Sequence, residues 1–429
     1  MTEGDEVSER YDPREVERKV RRRWRETDAY ERTKQAHDDD PDLYFLDGPP
    51  YTSGQMHLGT AWNKTLKDCV VRYKRMQGFD VHDQPGYDMH GLPIEVKVEE
   101  KLGFESKSEI EEYGVGSFVE DCKEFALDNL EAMNDDFRSM GVWMDWDRPY
   151  RTLDPSYMEG AWWAFQRAFE RGLVERGKRV INQCPRCETA IADTEVEYDE
   201  IESPSIYVEF PLEDDEDEAS LVIWTTTPWT IPANLYVAVD SELEYAKVEA
   251  TRDGDTDVLV VASDCLDDVL REGRYEDYEV LDEFTGEDLV GARYRHPLAD
   301  RVPSQERLDA EDGVHEVHAT EFVSAERTGL VHAAPGHGVD DFEYAEDTEI
   351  PVFSPVDTKG VYTDEAGDYA GEFVRDANPR VIDDLRDAGL LVAEDTTRHR
   401  YGHCWRCDTP IVFVATDQWF VTVTDVKDR

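Results

Sequence analysis

The chain predicts an α/β fold in which a parallel-sheet domain is interrupted by an inserted, β-barrel-like domain. Three observations predict it. Residues 43 to 92 run strand, helix, strand. From about 206 to 333 the pattern changes to short β-branched runs parted by acidic or Gly/Pro loops. Two cysteine pairs, Cys184-Pro-Arg-Cys187 and Cys404-Trp-Arg-Cys407, stand on either side of that β-rich stretch.

The first element is a helix over 13–30, with Pro13 near its start and Val16, Val20 and Trp24 in one apolar stripe. Its other face carries Arg14, Arg18, Lys19, Arg21, Arg22, Arg23 and Arg25. That face suits either nucleic acid or solvent beside a docked stripe. Leu43–Asp47 reads as a short buried parallel strand, and Gly48-Pro49-Pro50-Tyr51-Thr52-Ser53-Gly54 breaks it with a loop. A helix begins near His57. Leu58, Trp62, Leu66, Cys69, Tyr73 and Met76 fall at steps of four and three and predict its buried face; Gly78 sits where a left-handed residue would end it. Asp80–Asp83 opens the next strand, and Gly86–Pro93 forms a loop beyond it.

This is a βαβ unit, and ligands of open α/β sheets sit outside the carboxyl ends of the strands. The helix start there offers free N–H groups and a positive dipole end to phosphate. Gly59 permits close approach of His57 and the backbone to a triphosphate, Thr60 adds a hydroxyl, and Asp88 suits a substrate ammonium.

Two cysteine pairs can supply four thiolates to one tetrahedral zinc ion. If they share it, the chain leaves a parent domain near 187 and returns near 404. Two unrelated turns with buried thiols are the alternative. The other cysteines, Cys69, Cys122 and Cys265, read as ordinary buried thiols.

A length of 429 residues predicts two or three domains. Formal net charge is −54, from 100 acidic and 46 basic residues, yet aromatics reach 11%, enough for a packed core rather than disorder. Molar salt explains such a surface, since at 1 M the Debye length is about 3 Å; an acidic interaction face is the alternative. No apolar run approaches the roughly 20 residues of a membrane span, and Met1-Thr2-Glu3-Gly4-Asp5 is no signal peptide. Cysteine usage fits a reducing cytoplasm better than a disulfide framework.

Within the insert, strands are expected at 206–210, 221–224, 236–239, 258–261 and 330–333. Two strings there carry chemistry. Trp224-Thr225-Thr226-Thr227-Pro228-Trp229-Thr230-Ile231-Pro232-Ala233-Asn234 clusters hydroxyls where a strand meets a proline. Gly329–Phe342 places His332, His337, Asp340 and Asp341 on a glycine-rich loop.

With Gly48-Pro49-Pro50, His57-Leu58-Gly59-Thr60 and Gly86-Tyr87-Asp88-Met89-His90-Gly91-Leu92-Pro93-Ile94-Glu95, the chain resembles the class I aminoacyl-tRNA synthetases, and within them the archaeal isoleucyl branch. His57–Thr60 corresponds to the HIGH signature, with Thr60 in place of its final His. Tyr87 stands where many relatives carry Trp. The resemblance covers essentially the whole chain. It implies a Rossmann-like nucleotide-binding fold, of which this chain holds the amino-terminal half, over 1–187. An editing domain follows over 188–400 and the second cysteine pair with the return over 401–429. It implies ATP with Mg2+ as substrate at His57, Gly59 and Thr60, an amino acid beside Pro49, Asp88 and His90, and structural zinc on Cys184, Cys187, Cys404 and Cys407. It implies hydrolysis of mischarged Val-tRNA in a pocket shaped by Thr225, Thr226, Thr227 and Thr230. Asn234 would support that pocket, His332 would place water or touch the terminal adenosine, and Asp341 would grip the substrate ammonium.

A second sieve is physically required. One methylene in an apolar pocket is worth about 1–3 kcal/mol, a limit for which isoleucine against valine is the established example. The implied partners are isoleucine, valine and isoleucine tRNA, with a monomeric, cytoplasmic protein and no membrane. The Lys-Met-Ser-Lys-Ser signature and a helical anticodon region are absent from the sequence, so the expectation is an amino-terminal portion of a larger enzyme. A trans-editing deacylase, a valyl relative and a non-catalytic RNA-binding fragment are the other readings.

Overall fold

The structure, a computed structural model, describes residues 11–427 except Asp214; the start Met1–Asp5 and Asp214 in the acidic run lie outside the described residues. The chain divides into two compact units, Met1–Gly172 and Leu173–Arg429.

The first unit runs α1 (Pro13–Glu26), α2 (Ala29–Gln35), β1 (Asp42–Tyr44), α3 (Leu58–Met76), β2 (Asp80–His82), β3 (Gly86–Tyr87), α4 (Leu92–Leu102), α5 (Ser108–Tyr113), α6 (Val115–Met140), β4 (Tyr150–Arg151) and α7 (Pro155–Glu170). The expected single helix over 13–30 is two helices. Asp12 caps α1 by accepting from the Arg14 and Glu15 N–H groups, and Asp28, at φ +46°, breaks the run before α2. The βαβ unit is present: β1 and β2 pair in parallel, Leu43 opposite Val81. β1 spans three residues rather than five, and β3 pairs in parallel with β4. Gly78, at φ +82°, follows α3 as expected.

The face of α3 is reversed from expectation. Leu58, Trp62 and Met76 are 84%, 67% and 85% exposed, while Lys64, Val71 and Arg75 are buried. Carboxylates outside the helix cause this. Asp47 holds Lys64 at 2.5 Å and Asp83 holds Arg75 at 2.7 Å. A buried cation is stable only when paired and hydrogen-bonded. Of the three single cysteines, Cys265 is buried, Cys122 half-buried and Cys69 exposed on this same helix.

The second unit runs β5 (Val174–Cys184), β6 (Thr189–Ile191), β7 (Val196–Pro211), β8 (Ser220–Thr225), β9 (Tyr236–Val239), β10 (Glu244–Arg252), β11 (Asp255–Ala262), α8 (Leu266–Glu272), β12 (Asp277–Thr285), α9 (Gly286–Leu289), α10 (Pro303–Leu308), β13 (Glu316–Ala319), β14 (Leu330–Ala333), α11 (Val339–Thr348), α12 (Asn378–Asp387), β15 (Leu391–Cys404) and β16 (Val412–Val421). Every strand expected in the insert lies within one of these.

The barrel-like expectation is corrected. The strands form an open six-stranded sheet in the order β12-β10-β11-β8-β7-β15 and two three-stranded sheets, β13-β9-β14 and β16-β5-β6. Among the described residues no sheet closes on itself. The outer strand β12 carries Asp277, Glu279, Asp282 and Glu283 and is almost wholly exposed, and charge on an edge strand discourages further pairing. Alternation along β7 and β8 buries both faces of the six-stranded sheet. Ile206, Val208, Phe210, Leu221 and Ile223 pack with Val237, Val239, Leu330 and Leu385 on one side. Tyr207 and Val222 pack with Leu259, Val261 and the α8 residues Val269 and Leu270 on the other.

Two long antiparallel pairings bring the ends of this unit together. β5 pairs with β16 from Val174↔Val421 to Gln183↔Val412. β7 pairs with β15 from Val196↔Cys404 to Val208↔Leu391. The cysteine pairs follow β5 and β15 directly.

Candidate functional site

In the first unit, the candidate site lies around the loop after β1 and the start of α3. His57 N-caps α3: its Nδ1 accepts from the N–H of Gly59 (3.1 Å) and Thr60 (3.4 Å), and its Nε2 lies 3.0 Å from Thr60 Oγ1. These partners make Nδ1 the acceptor, so Nε2 carries the hydrogen and donates to the threonine. The two N–H groups expected to face phosphate are therefore taken by His57. Gly59 permits this cap, since a Cβ there would stand 3.0 Å from the imidazole Cε1.

A cavity of about 400 Å³ opens beside that turn, lined by Gly48, Pro49, Pro50, Thr60, Asn63, Lys64 and Lys67. Buried Asp47 organises its cationic wall. It accepts from Lys64 Nζ (2.5 Å), Lys67 Nζ (2.7 Å) and the Gly86 N–H (3.0 Å). Burial holds the Lys64 ammonium below the usual lysine range, against the pull of Asp47. Sequence reading missed these lysines. Their signal was positional: Thr60, Lys64 and Lys67 follow at four and three, one side of the helix.

The loop bearing Asp88 crosses the proline loop. Asp88 N–H donates to the Pro50 carbonyl (2.9 Å), and Thr52 N–H donates to the Asp88 carbonyl (3.1 Å). Thr152, buried just past β4, ties the loop together. Its hydroxyl accepts from the Met89 N–H (2.9 Å) and lies 2.7 Å from His90 Nδ1 and 3.4 Å from Asp88 Oδ1. Pro49, Asp88 and His90 thus belong to neighbouring loops of one unit, and Thr152, with no motif around it, was not anticipated.

In the second unit, β9 and β14 pair with His332 opposite Val237, which brings the threonine string and the His/Asp loop together. His332 Nε2 lies 2.8 Å from Thr230 Oγ1, whose hydroxyl donates to the Thr227 carbonyl (2.8 Å). Asn234 Nδ2 lies 3.3 Å from His332 Nδ1 and donates to the carbonyls of Tyr236 and Ala333. Buried Tyr294, which sequence reading missed, donates to Asn234 Oδ1 at 2.5 Å. These partners assign the hydrogen to Nε2, and burial pushes the imidazole down to about 4, so His332 is neutral near pH 7.

Asp341 Oδ2 accepts from the Ala334 N–H at 2.8 Å. Gly338 leaves it room, since a Cβ there would stand 2.3 Å from Oδ2. Burial pushes the Asp341 carboxyl up to about 6. The remaining threonines divide. Thr225 Oγ1 accepts from the Thr227 N–H (3.0 Å) in a tight turn. Thr226 and Thr227 line a cavity of about 430 Å³ walled by Ser203, Arg375, Asn378 and Tyr401, with neither His332 nor Asp341 in its lining.

The cysteine pairs meet. The four sulfurs of Cys184, Cys187, Cys404 and Cys407 lie within 4.8 Å of one another, with Cys407 at 3.5 Å from Cys184 and 3.6 Å from Cys187. Four sulfurs at about 2.3 Å from a tetrahedral ion stand about 3.8 Å apart. All four are free thiols. Each knuckle turns on a left-handed residue after its second cysteine, Glu188 at φ +53° and Asp408 at φ +62°. The donor set and its geometry fit one metal ion.

A family description, tRNA synthetases class I (I, L, M and V), matches residues 19–429. The chain belongs to the class I tRNA synthetases. Proteins named isoleucine–tRNA ligase are similar to it. The one from Haloquadratum walsbyi is 61% identical over 99% of this chain, that of Halobacterium salinarum 59% over 100%, and that of Archaeoglobus fulgidus 53% over 98%. The chain spans about 40% of the length of each of these synthetases. Among solved structures, GlLeuRS-CP1 is 15% identical, covering 44% of this chain and 96% of that one, with TM-score 0.35. A LeuRS–tRNA–LeuAMS complex from Agrobacterium radiobacter K84 is 16% identical, covering 92% and 50%, with TM-score 0.36. Both likenesses are distant. No described helix of this synthetase chain is long and apolar enough to cross a membrane.

Proposed function

We propose that this chain carries the ATP-binding half-site and the proofreading site of an isoleucine–tRNA ligase. Residues 1–187 would form the amino-terminal half of a Rossmann-like catalytic domain, 188–400 an editing domain, and 401–429 the return. The observation that carries the reading is the joining of Thr230, Asn234 and His332 in one buried network, with Asp341, in the first turn of α11, bonded to the Ala334 N–H two residues beyond His332. High identity to isoleucine–tRNA ligases supports it.

In the full enzyme, ATP with Mg2+ and isoleucine would yield isoleucyl adenylate and pyrophosphate, and the activated acyl group would pass to tRNA. Here Lys64, Lys67 and Thr60 would meet phosphoryl oxygens, and charge stabilisation by preorganised donors is the main contribution such a site makes. His57 would hold the helix turn in shape for it. Asp88, steadied by Thr152, would take the amino acid's ammonium, with Pro49 and His90 beside it. The exposed stripe of α3 supports this half-site reading, because a row of exposed apolar side chains such as Leu58, Trp62, Leu66, Tyr73 and Met76 marks a surface that another segment covers.

In proofreading, water attacks the ester carbonyl of Val-tRNA, the ester C–O bond breaks, and valine and a ribose hydroxyl are released. Asp341 would grip the valyl ammonium. Neutral His332, fixed by Thr230 and Asn234, would keep the pocket's hydrogen bonds in one direction. Thr230, beside His332, would shape the space that admits valine and refuses isoleucine, while Thr225 would hold the turn that carries Thr226 and Thr227 to the wall of the cavity beside Ser203 and Asn378. The four cysteines would hold a structural zinc ion with no open position for substrate.

Release of valine from Val-tRNA tests this. The chain should deacylate Val-tRNA faster than Ile-tRNA, and Asp341→Ala should lower the rate at least tenfold. Equal rates on both substrates, or an undiminished variant, would contradict it. Isoleucine-dependent ATP–pyrophosphate exchange by this chain alone would contradict the half-site reading.

A further inference from the structure

We propose that the groove between α1 and the carboxyl end of α6 binds the phosphate backbone of RNA, an inference that rests on the tRNA substrate read above. The molecule's charge makes this segment stand apart. The chain carries a formal −54, yet α1 holds seven basic and three acidic residues, a local +4 from 7 − 3. A helix that served only to keep the surface hydrated would share the acidic character of the rest.

The cations are gathered rather than scattered. A groove of about 770 Å³ is lined by Arg18, Lys19, Arg21, Arg22, Arg25 and Arg138, against only Glu15 and Asp135. Arg18, Arg22 and Arg25 follow at four and three along the helix, so their guanidinium groups stand in a row about one 5.4 Å turn apart. Arg21 closes the far wall by donating to the Ser139 carbonyl at 2.5 Å.

The apolar stripe faces elsewhere. Trp24 packs edge-on against Trp143 at 5.1 Å and under the Arg72 guanidinium at 5.6 Å. That contact orients α1 and leaves the basic row outward. Among the described residues, the ion pairs given for Arg22 and Arg138 are weak: Arg22–Glu26 and Arg138–Asp135 are both 3.8 Å apart and exposed, and such pairs are worth about 0–1 kcal/mol.

The occupant follows from these features. Fourteen residues of α1 extend about 21 Å at 1.5 Å each, which suits a run of phosphodiesters rather than one free phosphate. Six of the seven basic side chains of α1 are arginine, whose planar fork meets phosphate through two hydrogen bonds at once. Among the described residues no aromatic lines the groove for a base to stack on, so binding is to backbone and independent of base sequence.

The test is binding of a fluorescently labelled tRNA transcript to the full chain, read by anisotropy across a series of KCl concentrations. The triple variant Arg18→Gln, Arg22→Gln, Arg25→Gln should raise Kd at least tenfold. It should also flatten the dependence of log K on log salt by about 2 to 3, since each lost phosphate contact removes about 0.7–0.9 of slope. Arg22→Gln should weaken binding about threefold, whereas Arg23→Gln, adjacent and equal in charge but outside the groove, should change it less than twofold. Unchanged affinity and slope in the triple variant overturn the inference and leave the tRNA reading standing. Displacement of tRNA by polyglutamate as readily as by unlabelled RNA overturns it in favour of an acidic polypeptide. Failure of the parent chain to bind tRNA overturns both. Far-UV circular dichroism of the variants should match the parent, because these side chains are surface groups, and the rate of valine release at saturating Val-tRNA should be unchanged.

Discussion

Asp341 carries the clearest pH consequence at the scale of one residue. Its carboxylate folds back over Gly338 onto the Ala334 N–H, and burial lifts it to about 6, against about 3.9 for a free aspartate. A raised folded value means the native state favours the proton. The stability this group contributes is therefore full below about pH 4 and lost as pH rises through about 6. Affinity for a cation runs the other way, because only the ionised form attracts an ammonium. The KM for Val-tRNA deacylation should fall as pH rises from about 5 to 7, with a midpoint near 6. Asp341→Asn should give a high, flat KM over the same range. A sloping profile that survives in the asparagine variant would assign the titration to another group. Gly338 supports the same geometry. A methyl group there meets Asp341 Oδ2 at 2.3 Å, so Gly338→Ala should raise KM at every pH while leaving the midpoint of the parent profile behind.

At the scale of elements, the cysteine cluster sits where two antiparallel ribbons meet. β5 with β16 and β7 with β15 bring the two ends of the second unit side by side, and the knuckles after β5 and β15 bring four sulfurs together. One tetrahedral ion would fix that junction more firmly than the neighbouring hydrogen bonds. Chelation of purified chain should release about one zinc per chain and lower the thermal unfolding midpoint, and Cys404→Ser should reproduce the loss of metal. A chain that carries no metal and keeps its midpoint in chelator would reduce the cluster to a thiol contact.

The two knuckles were legible because their four ligands come as two identical spacings. So were the strands β9 and β14, short apolar runs, the first closed by Asp240-Ser241 and the second opened by Gly329 and closed before Pro335. The pairing order of the large sheet was not legible, since a strand's own period says which residues share a face and nothing about its neighbour. The burial of α3 misled for a different reason. Its periodicity predicts a buried apolar face, but Asp47 and Asp83 draw Lys64 and Arg75 inward, and those partners lie outside the helix. Thr152 and Tyr294 escaped notice because each acts alone, far in sequence from the loop it steadies.

For the whole molecule, the decisive quantity is −54 formal charges on 429 residues. Carboxylates crowd exposed positions such as those of β12, where each repels several others. At 0.1 M salt the Debye length is about 10 Å, long enough for that repulsion to add across the surface; at 1 M it is about 3 Å, shorter than most of the separations involved. The repulsion acts more strongly on the compact state than on an expanded chain, so screening favours folding. Exposed ion pairs, such as Arg398–Glu200 at 3.6 Å, weaken under the same screening, but each is worth little and acidic groups outnumber basic ones by more than two to one. Net repulsion therefore dominates, and stability should rise with salt. The thermal unfolding midpoint should climb steeply between 0.1 and 1 M KCl and more slowly above it, as the screening length drops below the spacing of surface charges. Below about 0.5 M, KCl and potassium sulfate should give the same midpoint at equal ionic strength. Above that, sulfate should pull ahead because it also strengthens apolar burial. A midpoint that is flat or falling from 0.1 to 1 M would mean that the carboxylates are already compensated within the fold, and that the acidic surface serves a binding partner rather than a saline solvent.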